Sequence, residues 1–97
     1  MKTIHEIEEI LKNHKTALIH KYKVKGIGVF GSHVRGEQSK KSDIDILVEF
    51  EHVPDLLTFL EMERYLEKLL GCKVDLIEKT SLRPRIKESI LREVDNV

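Results

Sequence analysis

One cysteine stands in 97 residues, so no internal disulfide framework is available, and a lone Cys72 fits a reducing compartment. Lysine plus arginine balance aspartate plus glutamate at 17 each, which leaves no net field to recruit nucleic acid or an acidic membrane. No apolar run approaches the ~18 residues of a membrane span. The first stretch, MKTIHEIEEILKNH, is acidic and amphipathic rather than a signal peptide. Repeats, linkers and low-complexity tracts are also missing. What is present is 40% hydrophobic and 35% charged, the balance of a well-solvated globular protein. The expectation is one soluble, cytoplasmic domain over residues 1–97, with no membrane partner and no nucleic acid indicated.

Thr3 and Glu6 read as a capping box, and Ile4, Ile7, Ile10, Leu11, Ala17 and Leu18 predict one helix from about Thr3 to Tyr22. Val24 to Phe30 predicts a strand, Gly31 to Ser42 a polar connection, and Asp43 to Phe50 a second strand. Alternation puts Ile44, Ile46, Val48 and Phe50 on one face of that strand, with Asp43, Asp45, Leu47 and Glu49 on the other. Pro54 and Asp55 open a second helix that Gly71 ends, with Leu56, Leu57, Leu60, Leu66, Leu69 and Leu70 as its apolar stripe. Cys72 to Glu78 predicts a third strand, on which Cys72 reads as a small core residue. A last helix after Pro84 turns Ile86, Ile90, Leu91 and Val94 inward. The order α-β-loop-β-α-β-α predicts an α/β (α+β) fold, a three-stranded mixed sheet with flanking helices. The helix between the second and third strands is long enough for a crossover, so those strands run parallel.

Apolar strands do not normally carry two acids on one side. Asp43 and Asp45, two residues apart, project together with Cα atoms roughly 7 Å apart, and Asp75 on a parallel neighbour completes a triangle of carboxylates. Three like charges raise one another's pKa unless a cation relieves them, and Mg²⁺ favours such oxygen donors with water and phosphates as further ligands. Gly31 permits a turn and close backbone approach, and Ser32 offers a hydroxyl and an amide at the start of a possible short helix. Arg35 stands one turn on, to meet a phosphate or to pair with a strand carboxylate. Glu49 lies about 13 Å along the strand from Asp45, too far to share a metal with it. His5, His14, His20 and His52 have no zinc-ligand spacing; His33, Lys40 and Lys41 read as solvated loop residues.

Gly31-Ser32, ten residues, then Asp43-x-Asp45, with Asp75 in KVDLIE, resembles the signature of the DNA polymerase β-type nucleotidyltransferases. In length and in the wording GSHVRGEQSKKSDIDILV the chain is most similar to minimal nucleotidyltransferases. The resemblance implies Mg²⁺-dependent transfer of AMP from ATP to an acceptor hydroxyl. Gly31 and Ser32 would hold the triphosphate, Asp43 and Asp45 two metal ions, and Asp75 the catalytic metal while helping to remove the acceptor proton. It implies further that a HEPN-type ribonuclease toxin is the partner and acceptor, with this chain as its antitoxin. Neutralisation by occlusion, and transfer to a small molecule, are the alternative readings.

Overall fold

A computed structural model describes residues 2–36 and 43–97, without the side chains of Ser32 and His33. The elements follow as α1 (Ile4–Asn13), α2 (Lys15–Tyr22), β1 (Val24–Phe30), α3 (Ser32–Arg35), β2 (Ile44–Phe50), α4 (Leu56–Leu70), β3 (Val74–Glu78), α5 (Pro84–Glu93) and β4 (Asp95–Asn96). The sheet order is β3-β2-β1-β4, with β2 and β3 parallel and the other pairs antiparallel. The two-residue β4 extends the three strands expected from sequence; at that length it carries no periodicity to read. None of the described helices is long and apolar enough to cross a membrane.

Local chemistry sets the helix ends. Thr3 Oγ1 accepts the Glu6 N–H at 3.2 Å while Glu6 Oε1 accepts the Thr3 N–H at 3.3 Å, closing the capping box. Asp55 accepts the Thr58 N–H at 2.8 Å, which holds its carboxyl below the usual range. Gly71, at φ 71°, ends α4 in the left-handed conformation.

Three expectations need correction. The helix over 3–22 is two helices, because the chain departs from helical geometry at His14, whose Nδ1 donates to the Ile10 carbonyl at 2.9 Å. That carbonyl also accepts the His14 backbone N–H at 3.2 Å, so the ladder is shared where the axis turns. In α4 the buried residues are Met62, Leu66 and Leu70, whereas Leu56 and Leu57 are 70% and 79% exposed. Both stand in the first turn of α4, ahead of the residues that enter the core. In α5 no residue is buried: Ile86 and Leu91 are 51% and 41% exposed, and Ile90 and Val94 only partly covered. The sheet positions near Leu91 are Gly26, Ile27, Leu47 and Glu49, of which Ile27 and Leu47 are buried.

The core lies on one face of the sheet. Ile27, Val29, Ile44, Ile46, Val48, Val74 and Leu76 meet Ile7 and Leu11 of α1, Leu18 and Tyr22 of α2, and Met62, Leu66 and Leu70 of α4. Glu78 shares this face, paired with Val48, and is buried; its Oε2 accepts from Thr80 Oγ1, and Oε1 has no partner among the described residues. The opposite face carries rows running Phe30–Asp45–Asp75 and Gly28–Leu47–Ile77. Over Gly28 the chain is too close for a side chain: an added Cβ would stand 2.7 Å from Val94 Cγ2 and 2.8 Å from the Asp95 carbonyl oxygen.

Candidate active site

The Phe30–Asp45–Asp75 row positions the acids. Parallel register sets Asp45 beside Asp75, and residues opposite each other on adjacent strands share a face, so both carboxylates leave the sheet on the side away from the core. Asp43 lies one residue before β2 begins and is exposed, rather than on the strand as the alternation predicts.

The three acids act on one another electrostatically. Burial, then the Asp75 charge, then that of Asp43 push the Asp45 carboxyl up to about 6. Arg35 opposes the shift, and Glu93 adds to it. Arg35 Nη1 donates to Glu93 Oε1 at 2.5 Å, a carboxylate of α5, while its charge also acts on Asp45 of β2. Glu93 was not among the residues expected from sequence. It lies 58 positions beyond Arg35 in no recognisable motif, and only the return of α5 brings it near.

Gly31 adjoins the acids directly. Its φ is 82°, and a Cβ there would lie 2.0 Å from Asp45 Oδ2. Glycine is therefore required twice, by conformation and by space. The carbonyl of Gly31 accepts the N–H of Val34 and of Arg35, each at 3.1 Å, which starts α3. Ser32 stands at the head of that turn, and its side chain, like that of His33, is not described. Lys40, Lys41 and Ser42 lie outside the described residues. Cys72, expected in the core, is exposed in the turn before β3.

The donor set suits a hard divalent cation: three carboxylates, mutually repelling and open to solvent on two of their number. Among the described residues no three acid, histidine or cysteine side chains are grouped closely enough to hold a metal ion.

A profile of the nucleotidyltransferase domain family matches residues 11–95. The protein adenylyltransferase MntA of Thermococcus cleftensis is 55% identical over 97% of this chain and 95% of its own. A solved structure proposed to be a minimal nucleotidyltransferase superposes with a TM-score of 0.77 at 34% identity, covering 94% of this chain and 95% of that one. A toxin–antitoxin structure with AMP-PNP does so with a TM-score of 0.73 at 26% identity, over 88% of this chain and 70% of that chain. The acid row, the glycine turn and these likenesses coincide, and the chain belongs to the nucleotidyltransferase domain family, on the minimal branch that includes the protein adenylyltransferase MntA.

Proposed function

We propose that the protein, acting as a single cytoplasmic domain, transfers AMP from ATP to a hydroxyl of a partner protein, and that the partner is a HEPN-type toxin which it restrains as an antitoxin. The observation that carries this reading is the Asp45–Asp75 register beside the left-handed Gly31. Supporting it are the name of the Thermococcus relative and the AMP-PNP complex of the related fold.

Asp43, Asp45 and Asp75 would hold Mg²⁺, in one or two ions. Bound there, the cation would neutralise charge on the triphosphate and lower the pKa of the attacking hydroxyl. Gly31 leaves room for a phosphate to approach the backbone, and Ser32 begins the turn that faces it. Arg35 offers a guanidinium whose Nη1 is fixed by Glu93. Asp75, exposed on the outer strand, receives the acceptor proton as the new oxygen–phosphorus bond forms and pyrophosphate departs.

The test is transfer of label from α-labelled ATP to the candidate toxin in Mg²⁺. Asp43→Asn with Asp45→Asn should abolish it, and undiminished transfer would refute the site. Full neutralisation of the toxin by that double variant would instead make occlusion the mechanism.

A further inference from the structure

Beside the acid row the sheet ends at β3, whose outer edge pairs with no other strand among the described residues. Ile44 donates its N–H to the Lys73 carbonyl at 3.0 Å in the register Ile44–Val74. Parallel pairing then turns the backbone groups of Lys73, Asp75 and Ile77 toward β2, and those of Val74, Leu76 and Glu78 outward. Both ends of this edge are closed by side chains. Glu67 Oε2 accepts the Val74 N–H at 3.1 Å, and Ser81 Oγ donates to the Glu78 carbonyl at 2.7 Å. Between them the Val74 carbonyl and both backbone groups of Leu76 have no partner among the described residues. Unpaired strand groups are a template for another backbone.

The same edge is basic. Arg64, Glu67 and Lys68 share one face of α4 and, with Cys72 and Lys73, line an open groove of about 410 Å³. The Glu67–Val74 bond locates this groove on the outward side of β3. Arg64, Lys68 and Lys73 form no ion pair among the described residues. Asp43 acts on the Cys72 thiol, so the groove adjoins the carboxylates.

We propose that the outer edge of β3 and the basic groove beside it receive an extended, acidic segment of the acceptor protein as an added antiparallel strand, with its hydroxyl residue across from Asp75. The inference rests on the transfer reading and says how the acceptor is held. In such an addition Asp75 falls in a non-hydrogen-bonded pair, with Cα atoms about 4.5 Å apart and side chains on the same face. The segment's continuation then passes the start of β3, which puts carboxylates about two to four positions after the hydroxyl residue beside Lys73 and Lys68. A nucleic acid fits less well. No aromatic side chain lines the groove for base stacking, and unpaired amides and carbonyls in alternation match another polypeptide.

The test uses the full chain with Mg²⁺, α-labelled ATP and synthetic peptides of about 12 residues, long enough to cross the edge. In these a central tyrosine is followed by glutamates, preceded by them, or followed by lysines. Glutamates after tyrosine should raise kcat/KM at least about tenfold over lysines, and Arg64→Glu/Lys68→Glu/Lys73→Glu, checked for folding by circular dichroism, should invert the order. N-methylation of either residue next to the tyrosine should lower transfer about tenfold, and of the tyrosine itself should not, because only alternate amides face β3. Rates indifferent to charge reversal or to methylation parity would overturn the proposal, as would tighter binding of a single-stranded RNA of equal charge. Should no peptide accept AMP, anisotropy with fluorescein-labelled phenylalanine analogues decides alone. Binding that follows charge and parity upholds the docking edge while the transfer reading falls, and indifferent binding removes the docking edge.

Discussion

Strand β2 has two faces with different work. Ile44, Ile46, Val48 and Phe50 are buried toward α1, α2 and α4, while on the other side only Leu47 is buried and Asp45 and Glu49 are partly covered. One face supplies the burial that holds the domain; the other holds charges that burial would penalise. Because side chains alternate with a period of two, a slip of one residue would exchange the two sets. The hydrophobic face thus fixes the register on which the acid row depends.

Substitutions can break this division in order of size. Asp43→Asn with Asp45→Asn should reduce AMP transfer by more than about a hundredfold, with melting temperature no lower, read by label transfer and thermal denaturation. Gly31→Ala comes next. Its Cβ needs the space of Asp45 Oδ2 at 2.0 Å, so it should lose most activity and about 1–3 kcal/mol of stability. Ile46→Ala should show the reverse pattern, costing about 2–5 kcal/mol in denaturant melts, with kcat kept at temperatures where the variant is folded.

A smaller effect separates charge from packing. Asp45 titrates at about 6 when folded, against 3.8 for an ordinary aspartate, so between those values the folded state holds more protons than the unfolded. Stability from this group is therefore lost as pH rises through that window. In EDTA, Asp45→Asn should raise stability by about 1 kcal/mol at pH 8 after allowance for solvent screening, and by nothing at pH 3. A gain equal at both values would mean that packing, not charge, is responsible. Last, Glu88 and Arg92 form an exposed pair one turn apart on α5, and Glu88→Gln should change stability by less than about 0.5 kcal/mol.

The acid row was legible because it is local: Asp43-x-Asp45 spans the start of one strand, and a crossover of readable length brings Asp75 alongside Asp45. Val24 to Phe30 and the α4 termini were legible for the same reason, through alternation and caps. Glu93 was not, since its approach to Arg35 depends on how α5 returns across the sheet. The exposure of Leu56 and Leu57 was also hidden, because helical spacing reports which residues share a stripe and not which of them meet the core.

Gly28 has no functional group, yet the stretch from Val94 to Asn96 lies flat only because that position is blank. Any larger residue would press on this stretch, immediately after the Glu93 that bonds the Arg35 guanidinium. A hydrogen atom in the middle of β1 thus acts as a distant trim on the charge of a site it never touches.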